Sequence, residues 1–185
     1  MSNSQVGTYK FEAFPFHLDV RGKLSMGVLG KHLLNCADAY AAERGFDVVE
    51  QGGEHYTWVL SRLAIELEDL PSCHESFSIQ TWVENVYRLF ADRNFVICNK
   101  DEKPIGYVRS VWAMISMETR NPANLLALYG DRITNSICEK ECPIAKPGRI
   151  KVSQQEAVSE YVAKYSDLDI NGHVNSIKYI EHILD

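Results

Sequence analysis

The chain has no apolar run near the roughly 20 residues that a membrane-spanning helix needs. Its opening, MSNSQVGTYKFEAF, lacks the basic start and apolar centre of a secretory leader. Positive charge is not in excess: 19 Lys and Arg stand against 25 Asp and Glu, a net charge of −6. That balance argues against a nucleic-acid partner. Cysteine is sparse and odd in number. Cys36, Cys73, Cys98, Cys138 and Cys142 are scattered through 185 residues, the pattern of reduced thiols in a cytoplasmic protein rather than of a disulfide framework. CEKEC (Cys138, Cys142) has no second ligand pair of fitting spacing, so no metal site is expected. There is no Gly-rich phosphate loop, no Gly-x-Ser-x-Gly elbow and no His-Glu-x-x-His pair. With 45% hydrophobic and 24% charged residues, the profile is that of a soluble globular protein of one domain, or of one domain and part of another.

Periodicity organises most of the chain. YKFEAF (Tyr9 to Phe14) alternates like a strand. From Leu24 the period becomes helical, with Leu29, Leu33, Cys36, Ala37 and Tyr40 on one face, Ser25 as cap and Gly45 as stop. Gly27 and Gly30 weaken this helix of about 20 residues, so they are expected to mark a close approach to other backbone. Strands follow at TWVLSRLAIELEDLP and ESFSIQTWVENV. DRNFVICN and PIGYVRSVWAMISM flank the polar turn KDEK as a hairpin. Prolines and glycines then break the pattern, which predicts a linker over 121–154 with at most short helices. AVSEYVAKYSDLD reads as another strand and NSIKYIEHIL as another helix. One long helix against an antiparallel sheet is an α+β arrangement.

A weak internal repeat lies at an offset of 150 positions. DVRGKLS (Asp19 to Ser25) falls on DINGHVN (Asp169 to Asn175), and Ala13, Leu18, Asp19, Gly22, His32 and Leu34 recur as Ala163, Leu168, Asp169, Gly172, His182 and Leu184. The shared Asp and Gly suit a common turn. Asn171 and His173 replace Arg21 and Lys23, so the second copy carries reactive groups that the first lacks. The repeat places a second unit from residue 155 onward, with one strand and the first turns of its helix.

Asp169, Asn171 and His173 alternate just before a helix start. Unpaired backbone N–H groups there favour developing negative charge, as on a carbonyl under attack. His173 titrates in the range of a general base, Asn171 can donate to a carbonyl or hold a water, and Asp169 can orient either. The same residues suit a plain turn with an incidental histidine. Spacing alone leaves both readings open. His17, His55 and His74 read as isolated surface or loop residues. Trp58, Trp112 and Trp82 read as core packing, with an apolar ligand pocket as the alternative.

SDLDINGHVNSIKYIEHILD closely resembles the active-site segment of the acyl-acyl carrier protein thioesterases, which are tandem hotdog domains. TWVE, DRNF and VWAMISMETR resemble segments of their first unit in the same order. The resemblance implies a hotdog α+β fold. Residues 1–120 would form a first unit that accommodates the acyl chain, and 155–185 would open a second unit, here truncated. It implies hydrolysis of fatty acyl thioesters on acyl carrier protein, in fatty acid biosynthesis, without a cofactor or metal. The catalytic Asp, Asn and His fall on Asp169, Asn171 and His173. A further acidic residue, in a later strand of the second unit, falls outside this chain. The partner would be acyl carrier protein, with Lys140, Lys146, Arg149 and Lys151 as a candidate docking patch for that acidic protein. Dimers are expected, since Ile177, Ile180 and Leu184 would form an apolar face without cover of its own. The alternatives are an acyl-coenzyme A thioesterase and an inactive acyl-binding fragment.

Overall fold

In a computed structural model, residues 5–151, 160–170 and 172–184 are described. Strand β1 (Gly7–Glu12) leads through a single 3-10 turn at Pro15–His17 into helix α1 (Met26–Glu43). Strands β2 (Val49–Gln51), β3 (Glu54–Leu67), β4 (Ser76–Val86), β5 (Ala91–Cys98) and β6 (Pro104–Ser116) follow. The six strands make one antiparallel sheet in the order β1-β4-β5-β6-β3-β2. Register shifts at Leu60/Arg62 and Val83/Asn85 mark bulges, which bend strands and increase their twist.

Helix α1 forms where the sequence places it. The Ser25 hydroxyl accepts the Val28 N–H at 3.3 Å, and the helix stops at Arg44 before Gly45, whose φ is +69°. Its stripe of Leu29, Leu33, Cys36 and Ala37 packs on Phe77, Ile79, Phe95, Ile97 and Val108 of the sheet. Side chains on β5 alternate in direction. Phe95 and Ile97 therefore join α1, while Val96 and Cys98 join Trp82 on the opposite face.

The 121–151 stretch does more than link. Helices α2 (Leu125–Tyr129) and α3 (Asp131–Thr134) bury Leu125, Tyr129 and Ile133 against Tyr40, Phe46 and Met114, closing one end of the core. The chain then crosses the outer face of the sheet. Cys138 N–H donates to the Val83 carbonyl at 2.9 Å, Trp82 Nε1 to Lys140 O at 2.9 Å, and Arg109 Nη2 to Cys142 O at 2.7 Å. Cys142 is buried in that contact and Cys138 is half-buried.

Two expectations need correction. Of the strand expected over AVSEYVAKYSDLD, residues 157–159 lie outside the described residues, 160–164 are not a strand, and Tyr165–Asp167 form a 3-10 turn. β1 is a strand because β4 supplies its hydrogen bonds, and no neighbouring strand among the described residues does so for 160–164. The final helix α4 (Ser176–Leu184) is also not bare on all of its apolar face. Ile177 is buried against α1, where a Cβ on Gly30 would lie 2.6 Å from its Cδ1. Gly27 makes the same room for Glu181. The close approach that these glycines announce is thus to side chains of α4. Tyr179, Ile183 and Leu184 stay exposed.

Gly30→Leu should therefore lift α4 from α1, at a cost of about 1–3 kcal/mol from overpacking. The measurement is thermal melting of Gly30→Leu, Ile177→Ala and the double variant. Ile177→Ala should offset part of the Gly30→Leu loss, and additive losses would contradict the contact.

Candidate active site

The turn of the second copy is closed by the same hydrogen bonds as that of the first. The turn at Asp19 is closed by Asp19 N–H to Lys23 O (2.8 Å) and Gly22 N–H to Asp19 O (3.0 Å). Asp169 N–H to His173 O (2.8 Å) and Gly172 N–H to Asp169 O (3.0 Å) close the other. Gly22 and Gly172 have φ of +72° and +73°, a region that glycine enters without a Cβ penalty. In each copy the aspartate Oδ1 accepts the N–H four residues on, at 3.3 Å from Lys23 and 3.0 Å from His173. A helix follows each turn, capped by Ser25 or by Asn175, whose Oδ1 accepts the Ile177 N–H at 2.9 Å. Asp169 thus holds the backbone that carries His173. Asn171 lies outside the described residues.

The copies differ in what the turn presents. Arg21 folds back onto Asp19 at 2.6 Å and Lys23 pairs with Asp69 at 2.8 Å. His173 is exposed, and its Nε2 lies 3.3 Å from Arg120 Nη1. A guanidinium only donates, so in this contact Nε2 is the acceptor. Arg120 follows β6 with φ +60°, held there by its N–H to Ser116 O at 2.9 Å.

Beneath the second turn lies a group of residues that the motif alone does not flag. Asp167 is 2% exposed. Its Oδ2 accepts from Lys164 N–H and from the Tyr161 hydroxyl, each at 2.8 Å, and His182 Nε2 of α4 stands 3.7 Å from Oδ1. The Asp167 carbonyl accepts the Asn175 N–H, tying this residue to the start of α4. The first copy has Phe11, His17 and His32 at these places, and the ring pairs Phe11–His32 and Tyr161–His182 are 4.2 and 4.0 Å apart. The 150-residue offset already pairs Phe11 with Tyr161 and His32 with His182, and carrying it through His17 is the signal that would have found Asp167.

The turn faces a cavity of about 500 Å³. Asp169, Ile170, His173 and Val174 form one wall, and Asn175 and Ser176 bring the N-terminal end of α4 to it. The rest comes from the first unit, with Leu34, Ala37 and Ala41 of α1, Phe46, Trp58 and Leu60, and Trp112 and Ile115 of β6, and from Ile133 of α3. Trp58 and Trp112 therefore line the cavity, and Trp82 packs on the sheet's outer face. Among the described residues, no group of three or more His, Cys, Asp and Glu side chains could hold a metal ion, and no helix is long and apolar enough to cross a membrane. The basic patch expected at 140–151 is partly spent. Lys146 pairs with Glu84 and Asp92 at 3.2 and 3.0 Å, and Lys140 donates to Gln80 at 2.6 Å.

A long helix laid on a curled antiparallel sheet, followed by a repeat of its opening turn and helix, defines a hotdog-fold protein. Residues 5–130 match the acyl-ACP (acyl carrier protein) thioesterase N-terminal domain, and residues 150–185 match the acyl-ACP thioesterase C-terminal domain. The chain belongs to the acyl-ACP thioesterase family. The solved structure of an acyl-ACP thioesterase from Bacteroides thetaiotaomicron is 61% identical, with a TM-score of 0.88, over 98% of this chain and 73% of that one. The 12:0-ACP thioesterase from Umbellularia californica shares the fold at 17% identity, with a TM-score of 0.78, over 99% and 75% of the two chains. The palmitoyl-acyl carrier protein thioesterase of Gossypium hirsutum is 25% identical over 158 residues, which are 82% of this chain and 38% of the relative. The chain spans well under half the length of the curated relatives it matches.

The hydrogen bonds to Asp167 hold its carboxyl below the usual carboxylate range, that of the Lys164 N–H first and that of the Tyr161 hydroxyl next. A carboxylate lowered by folding stabilises in full above its unfolded pKa, near 4, and loses that contribution as pH falls through its folded value. Melting curves of the parent and Asp167→Asn should therefore differ at neutral pH and converge below about pH 4. A gap that persists at low pH would assign the loss to something other than the charge.

Proposed function

We propose that the protein hydrolyses fatty acyl thioesters carried on acyl carrier protein and releases the free fatty acid, as a step of fatty acid biosynthesis. The observation that carries this reading is the placement of the Asp169–His173 turn on the wall of a cavity lined by the first unit. That cavity is of the size small-ligand sites have, about 300–1,000 Å³. The first unit, with its Arg21 and Lys23, accommodates the acyl chain. The start of the second brings Asp169, Asn171 and His173 to the thioester.

In the proposed reaction a water oxygen attacks the thioester carbonyl carbon. His173 Nε2 takes the water's proton once water replaces Arg120 at that lone pair. Asp169 holds the backbone under the histidine. Asn171 donates to the carbonyl or to the water, and the N-terminal end of α4 faces the oxyanion. The carbon–sulfur bond then breaks, and the carrier's thiolate takes the proton back from His173 and leaves as a thiol, returning the imidazole to its neutral form. The partner is acyl carrier protein, and a second copy of the chain is the proposed cover for Tyr179, Ile183 and Leu184.

The test is hydrolysis of one acyl chain on acyl carrier protein and on coenzyme A, by the parent and by His173→Ala. The carrier-protein thioester should be the better substrate, and His173→Ala should lower kcat by about 10²–10⁴-fold. Equal or faster turnover on coenzyme A would reassign the carrier, and no turnover by the parent would support an acyl-binding fragment. Light scattering at micromolar concentration should show self-association, and a clean monomer would remove the proposed dimer.

A further inference from the structure

Most of the inner cavity is apolar, but its lining includes the cation Arg93, with the acids Asp38 and Asp169 elsewhere on the same walls. Arg93 is on β5, in register with inward-facing Phe95 and Ile97, so its side chain points toward α1. It lines the cavity and is only 6% exposed. Its Nη1 donates to Thr81 Oγ1 at 3.3 Å, and its guanidinium carbon lies 4.5 Å from the centre of the Tyr40 ring. Among the described residues, no carboxylate pairs with it. Arg109, on β6 and nearly as buried, has such a partner: Glu84 at 3.4 Å, with the Cys142 carbonyl at 2.7 Å. The Tyr40 ring also carries the Arg44 guanidinium at 3.5 Å, and that cation is paired with Glu43 at 3.1 Å. Burial pulls the Arg93 pKa down to about 10, in keeping with a cation that has little to offset its lost hydration.

A guanidinium has five N–H donors, and one of them is engaged here by the protein. A methyl-ended chain that reaches it displaces water without replacing its hydrogen bonds, which weakens binding. A chain with an oxygen at that depth supplies the acceptor, and hydrogen bonds to charged groups are the stronger kind. We infer that Arg93 recognises an acyl chain bearing a hydroxyl or carboxylate oxygen at the point where the chain reaches it. The inference rests on reading the cavity as the acyl site, and it adds a substrate class to that reading.

Trp58 and Trp112 line the same cavity, so their fluorescence reports its occupancy. The probes are acyl pantetheine analogues with an amide in place of the thioester, matched in chain length and ending in methyl, hydroxyl or carboxylate. At the length that reaches Arg93, the oxygen-ended analogues should bind the parent at least about tenfold more tightly than the methyl-ended one. Arg93→Met should abolish or reverse that ranking, and Arg93→Lys should keep the carboxylate preference. Methyl-ended analogues binding equally or better at every length would overturn the inference, as would a preference that survives Arg93→Met or the binding of no analogue. If Arg93→Met does not fold by circular dichroism, the ranking in the parent decides alone. The amides are not hydrolysed, so failure of the proposed reaction leaves this ranking readable.

Discussion

Ile177 rests on the backbone of Gly30, and the geometry of the site depends on that contact. The turn bearing Asp169 and His173 has no strand beside it among the described residues. Its place over the cavity is set by the helix it opens, and that helix is seated on α1 by Ile177 and Glu181 over two glycines. A side chain at Gly30 would push α4 outward, and His173 would move with it. The glycines weaken α1 as a helix by about 1 kcal/mol each. Buried contact with α4 offsets that cost, which explains why the least helix-forming part of α1 is where the second unit docks.

The two turns show one backbone device presenting different side chains in its two copies. Both use an aspartate carboxylate to receive the N–H four residues on, and both use a glycine with φ above +70°. In the first copy the exposed side chains satisfy one another and their surroundings, Arg21 with Asp19 and Lys23 with Asp69. In the second, a histidine takes the place of the lysine, and its partner Arg120 comes from the far end of β6. First-unit residues thereby reach both the ring nitrogen and the interior of the cavity.

Much of this was legible in the sequence, because it rests on local periodicity. The helix stripe from Leu29 to Tyr40, its Ser25 cap and Gly45 stop, and the hairpin around KDEK are all read from neighbouring residues, and the 150-residue offset comes from setting two such local segments side by side. What escaped depends on partners distant in sequence. Residues 160–164 have strand-like composition, yet a strand exists only where a neighbour supplies hydrogen bonds. Leu125, Tyr129 and Ile133 look like linker because prolines surround them, and only the open end of the core beside Phe46 and Met114 shows why they are buried. Asp167 and Arg93 were passed over for the same reason. Their importance lies in what surrounds them, Tyr161 and His182 for one and an apolar cavity for the other.

The segment from Ile137 to Cys142 lies fastened to the outside of the sheet through Val83, Trp82 and Arg109. Each contact there shortens the stretch of chain left between the sheet and the turn at Asp169. That narrows the volume that the following turn can explore and raises its effective concentration at the cavity, with no new contact at the site itself. Loosening Trp82 or Arg109, on the face opposite α1, would then be felt as weaker delivery of His173 to a cavity whose own walls are unchanged.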